Sequence, residues 1–179
     1  MLKFNSIFIK IKLFYHKFFG SIDQNHSKIE IKELNCTPEN ILIIFPIEEK
    51  DFRVAAYTFR NFVYNKNTQY HFLINRVFHS HFHLKGNTYK LSYLPNKNKV
   101  LVDETFFADN MLNTYFDIVV DLNEQFNYDL ALLINKVNST YKIGFTKEYS
   151  DMFYNLQFDN SGENKVLEDS YNKIKLILS

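Results

Sequence analysis

The stretch from Asn40 to Phe62 restricts the fold of this chain more than any other. Ile41 to Phe45 is an unbroken apolar run, mostly β-branched and aromatic and too short for a helix. A strand covered on both faces of a parallel sheet has this pattern. From Asp51 the period changes: Phe52, Ala55, Ala56, Phe59 and Phe62 or Val63 recur at helical spacing, with Arg53, Arg60 and Asn61 mostly off that face. Asp51 suits the N-cap or the first turn of that helix. Strand, short acidic turn and helix make the first unit of an α/β sheet, and the turn joining them is where such sheets carry their chemistry.

Further units follow. Gln69 to Asn75 has the pattern of a second strand, Tyr89 to Leu94 and Val100 to Val102 of two short ones about a turn at Pro95 to Lys99, and residues 105–115 of a helix. In Phe116-Asp-Ile-Val-Val-Asp-Leu-Asn123 the residues Ile118, Val119 and Val120 form a buried strand. Asp121 and Asn123 stand at its carboxyl end, where open α/β sheets hold ligands, and are candidate ligand-binding residues; the competing reading makes them caps of the next turn. Phe126, Leu130, Leu133, Ile134 and Val137 mark another helix, Tyr141 to Phe145 another strand, and Gly144 a close backbone approach. Residues 146–162 have the composition of irregular surface, and Val166, Leu167, Tyr171, Ile174, Ile177 and Leu178 form the stripe of a closing helix. Regular alternation of strands and helices predicts an α/β fold, a three-layer sandwich around a mostly parallel Rossmann-like sheet.

Residues 1–20 differ in kind. Their only charged side chains are Lys3, Lys10, Lys12 and Lys17, set among Phe4, Phe8, Ile11, Phe14 and Phe18. As a helix, residues 2–19 suit an anionic membrane surface, while the lysines exclude a spanning segment. Two other readings remain: a helix packed on the domain, or a strand on Ile7, Ile9, Ile11 and Leu13. Residues 21–39 have the composition of a linker with a short strand at Ile29 to Ile31. The chain thus divides into a basic N-terminal segment with its linker, 1–39, and one α/β domain, 40–179.

Composition narrows the function classes. A net charge of +1 over 179 residues gives no argument for nucleic acid, and only 4 Gly leave no room for a glycine-rich phosphate loop or the cofactor it would hold. The single Cys36 points to a reducing, cytoplasmic compartment. His79, His81 and His83 would share one side of a strand, but no Cys, Asp or Glu lies nearby to complete a metal site, so they are expected as surface histidines.

From Ile41 the chain resembles the N-terminal domain of family 9 glycosyltransferases, the heptosyltransferases of lipopolysaccharide assembly. These open with a strand, a loop ending in Gly-Asp and a helix; here the same distance ends in Lys50-Asp51. The strand Phe-Asp-Ile-Val-Val-Asp-Leu, the helix after it and Lys142-Ile-Gly-Phe145 also look like that family, so the resemblance spans about residues 40–156. It implies half of a GT-B fold, a sugar acceptor, and Asp51 as general base on the acceptor hydroxyl. Because the family binds its nucleotide-sugar donor in a second domain, it also implies a partner chain supplying that half, or a module without catalysis of its own. Two alternatives belong to other classes: a membrane-surface scaffold on an α/β platform, peripheral at the inner face of the membrane, and an unrelated flavodoxin-like binder of a small ligand.

Overall fold

The computed structural model describes residues 9–15, 37–160 and 166–179. Among the described residues seven strands form one sheet: β1 Asn40–Ile44, β2 Gln69–Asn75, β3 Asn87–Leu94, β4 Lys99–Val102, β5 Tyr115–Asp121, β6 Asn138–Phe145 and β7 Leu156–Phe158. Their order is β4-β3-β2-β1-β5-β6-β7, and every pairing is parallel except β3 with β4. The strands expected from the sequence therefore share one mostly parallel sheet. Chain order reverses at β1, which lies between β2 and β5, and β3 lies outside β2. That is the Rossmann order; a flavodoxin-like sheet would place its third strand on the other side of β1.

The helices are α1 (residues 9–15), α2 Glu49–Phe59, α3 Glu104–Ala108, α4 Tyr128–Lys136 and α5 Leu167–Leu178. Strand alternation splits the core in two. Ile41, Ile43 and Phe45 pack with Phe52, Ala55 and Phe59 of α2 and with Tyr171, Ile174 and Leu178 of α5. Leu42 and Ile44 face the other layer, with Phe106 of α3 and Leu130, Ala131 and Ile134 of α4. Strands sandwiched this way bury both faces, which accounts for the continuous apolar runs at Ile41 and Ile118. The amino end of β1 is pinned to its neighbour by Asp117, whose carboxylate accepts from the backbone N–H of Glu39 and Asn40 at 2.7 and 2.9 Å.

Several sequence expectations need correction. The helix over 105–115 is only α3: Asn110 turns left-handed at φ 59°, Met111 N donates to Phe106 O and Asn110 N to Phe107 O, which closes the helix early. Residues 146–162 are not wholly irregular, since they contain β7 and a 3-10 turn at Ser150–Met152. Of the expected closing stripe, Val166 precedes α5 and is exposed, as is Ile177, and Tyr171, Ile174 and Leu178 carry the packing. The segment with three histidines is a 3-10 turn, Arg76–His81, followed by an extended strap; His79, His81 and His83 are all exposed. Residues 9–15 are helical, which removes the strand reading there, and Leu13 is buried against the α4 side of the core. Residues 2–8, 16–19, Cys36 and the strand expected at Ile29 to Ile31 lie outside the described residues. Among the described residues no helix is long and apolar enough to cross a membrane.

Near both ends of the sheet, side chains bond to strand backbone. Asp129, an acid in the first turn of α4, accepts from Val100 N of β4 at 2.9 Å. Asn155, just before β7, accepts from Lys142 N at 2.7 Å and donates from its amide to Thr140 O at 2.8 Å, continuing β7 past its own start. Gly144 is needed for a close approach, as expected: a Cβ there would lie 2.7 Å from the ring of Tyr154.

His71 of β2 is buried, stacked 6.3 Å from Tyr89 and edge-on to Phe116, with no hydrogen-bond partner for either ring nitrogen. Burial holds its pKa below the usual value, so the folded protein keeps it neutral. The unfolded chain then binds more protons than the folded one below a pH of about 6.5. Stability carried by the neutral ring is complete above that pH and falls below it, by at most ~1.4 kcal/mol per pH unit. The urea midpoint should therefore drop between about pH 7 and 5.5, and His71→Phe should flatten that drop.

Candidate functional site

The carboxyl ends of β1 and β5 meet at the point where strand order reverses, the place where open α/β sheets form their ligand crevice. β1 runs into Phe45-Pro46-Ile47, and α2 starts at Glu49. Glu48 takes the N-cap position without a side-chain cap bond, and Asp51 is the third residue of the helix. Asp51 is therefore a first-turn acid rather than the cap. Its carboxylate is half-buried beside Glu124, which follows β5. Its pKa is raised, first by desolvation and then by the charges of Glu124 and Glu48, against the opposing effect of Lys50. The carboxylate is thus made more basic at the carboxyl edge of the sheet, next to the point where strand order reverses.

Asp121 and Asn123 lie deeper. Both are buried, and all their side-chain polar atoms have partners within the protein. Asp121 Oδ1 accepts from the Asn123 amide and backbone N–H at 2.7 and 3.0 Å, while Oδ2 accepts from Lys147 Nζ at 2.9 Å and from the Tyr154 hydroxyl at 2.5 Å. Asn123 Oδ1 accepts from Ile47 N at 2.8 Å, and its amide also reaches Phe45 O at 3.4 Å. From the other side, Asn75 at the end of β2 donates to Ile47 O at 3.1 Å. The segment leading to Asp51 is thus held by side chains from two neighbouring strands. Neither Asp121 nor Asn123 caps α4; Asn127 does, accepting from Leu130 N at 3.1 Å.

A second layer lies around Glu124. Asn160 donates to Glu124 Oε1 at 2.6 Å and accepts from Ser170 of α5 at 3.1 Å. The Tyr171 hydroxyl donates to Leu122 O at 2.9 Å, and burial together with Asp51, Asp121 and Glu124 pushes its pKa upward. Burial, then Asp121, raises that of Tyr154 in the same way, so both phenols remain proton donors. Asp51, Asp121 and Asn123, the candidates read from the sequence, lie at this edge of the sheet; Lys147, Tyr154, Glu124 and Asn75, which surround them, were not among those candidates. Asn75 alone carried a usable signal, because it ends the strand that neighbours β1. Among the described residues no group of three His, Cys, Asp or Glu is arranged to hold a metal ion.

The fold and its switch point are those of one Rossmann-like half of a GT-B glycosyltransferase. Two solved structures make the likeness specific. A family 9 glycosyltransferase from Veillonella parvula DSM 2008 is similar with a TM-score of 0.53 and 14% identity, over 79% of this chain and 41% of that one. The E. coli heptosyltransferase WaaC, in a structure with ADP, is similar with a TM-score of 0.50 and 11% identity, over 76% of this chain and 46% of that one. The chain therefore spans less than half the length of either enzyme. No protein-family model and no curated protein matches it.

Proposed function

We propose that this chain is the acceptor-side domain of a heptosyltransferase-like glycosyltransferase system of the cell envelope, with nucleotide-sugar recognition lying outside these 179 residues. The observation that carries this reading is the placement of Asp51. It is a carboxylate of raised pKa, in the first turn of the helix after β1, beside the switch point of a sheet shared with family 9 enzymes. In this reading Asp51 takes the proton of an acceptor hydroxyl as that oxygen attacks the anomeric carbon of the donor and the nucleoside diphosphate departs. General-base help of this kind contributes about 10²–10⁴-fold. The departing diphosphate needs helix N-termini, basic side chains or a metal, and these come from the donor-binding half. Asp121, Asn123 and Asn75 keep the 45–47 segment, and with it Asp51, in place.

The test is a titration of the 179-residue protein with mono- and disaccharide acceptors and, separately, with nucleoside-diphosphate sugars. Sugars should shift the amides around Asp51 and Glu124, and Asp51→Asn should weaken that response. Nucleoside-diphosphate sugars should give neither saturable binding below about 1 mM, a usual ceiling for substrate affinity, nor product. Saturable donor binding that is lost in Asp51→Ala would overturn this division of labour.

A further inference from the structure

A trough lies between α2 and the β2-to-β3 connection, and the form of that connection explains it. Parallel neighbours are joined by a crossover of a dozen or more residues, which is usually a helix packed on the sheet. Here the crossover holds only the 3-10 turn Arg76–His81 and an extended strap ending at Gly86. Phe78, Phe82 and Leu84 fill part of the space of the missing helix, and the rest stays open.

The larger of its two cavities has a volume of about 490 Å³ and is lined by Glu49, Phe52, Arg53 and Ala56 of α2 and by Val77, Phe78 and His81 of the 3-10 turn. A second cavity of about 90 Å³ shares Ala56 and His81 with the first and adds Arg60 and His83. Together they have the size and the apolar floor of a small-molecule site. Phe52 and Phe78 form a stacked pair with ring centroids 4.6 Å apart. The rim is unbalanced in charge. Its one acid, Glu49, is already paired with Arg53 at 2.5 Å, whereas Arg60 lies 4.3 Å over the Tyr57 ring and makes no ion pair among the described residues.

We propose that this trough binds a small organic anion with a flat apolar body, of the aryl phosphate class. The body lies on Val77, Phe78 and Ala56, with Phe52 beneath Phe78, and the anionic group meets Arg60 between His81 and His83. Arginine is suited to this because its planar fork pairs with phosphate oxygens in a bidentate manner. Asp51 lines neither cavity, so the site is separate from the proposed sugar crevice and does not depend on it.

1-Naphthyl phosphate is the probe, titrated into the 179-residue protein by calorimetry and amide NMR, with 1-naphthol and inorganic phosphate as its two halves. Saturable binding is expected that shifts the amides of Ala56, Arg60 and residues 78–84, with each half binding far more weakly. Arg60→Gln should weaken it by about tenfold, the loss of one charged hydrogen-bonding partner. Ala56→Leu should fill the floor and abolish binding while leaving the amides of β1 and β5 in place. Equal binding by either half, shifts confined to other elements, an Arg60→Gln affinity equal to that of the unaltered protein, or no saturation would each overturn the proposal. Arg60 is exposed at the end of α2, so its variant decides the matter even if Ala56→Leu perturbs folding.

Discussion

Asp121→Ala should cost about 3–5 kcal/mol of unfolding free energy, the usual effect of removing one partner from a buried ion pair. The side chains of Asp121 and Lys147 are 2% and 6% exposed. Truncation leaves the Lys147 ammonium buried with only Asn123 O at 2.6 Å and the Tyr154 ring as polar company, and it deprives the Tyr154 hydroxyl of its acceptor. An uncompensated buried charge, rather than the lost attraction, makes the loss large. The double variant Asp121→Ala, Lys147→Met should therefore recover much of it. Urea unfolding of the three proteins at one pH checks this; a single variant as stable as the parent would show that water reaches the pair.

Gly86→Ala should be the next most damaging change, on the order of 3 kcal/mol, from backbone strain together with overpacking. Gly86 has φ 154°, and a Cβ would stand 2.5 Å from Tyr70 O and 2.7 Å from Phe72 Cε2. The carbonyl belongs to β2 and cannot move without disturbing the centre of the sheet. Gly86 is where the strap turns into β3, so the substitution presses on the same connection that leaves the α2 trough open. Thermal unfolding gives the loss, and an unchanged melting temperature would mean that the strap relaxes freely.

The sheet was legible in the sequence because its inner strands are covered on both faces. Ile41 to Phe45 and Ile118 to Val120 have no polar side to disguise them, and Asp51 marks the change of period that follows. β7 was hidden for the opposite reason. It has three residues, all half-buried, and Asn155 carries its pairing further through a side-chain amide, which no pattern of hydrophobicity signals. The early end of α3 turns on one left-handed asparagine. In the site, the positions of Asp51, Asp121 and Asn123 could be inferred from the carboxyl-end rule, whereas their partners could not. Lys147 and Tyr154 reach Asp121 across 26 and 33 residues, and only the β5–β6 pairing brings them there. The trough was equally invisible, since it results from a helix that the β2-to-β3 connection does not form.

The side-chain bonds on β4 and β6 bear on how the ends of this sheet meet another chain. A sheet edge with free N–H and C=O groups is a template on which another chain can add a strand, and long flat edges lead to aggregation. Here the outer strands have only four and three residues. The Asp129 carboxylate occupies Val100 N on one side, and the Asn155 amide occupies Thr140 O and Lys142 N on the other. An incoming strand would have to displace a charged acceptor at β4, and the stretch of β6 that the short β7 leaves uncovered is taken by a two-point amide clamp. At both ends of the sheet, short strands and side-chain partners leave little free backbone on which another strand could pair.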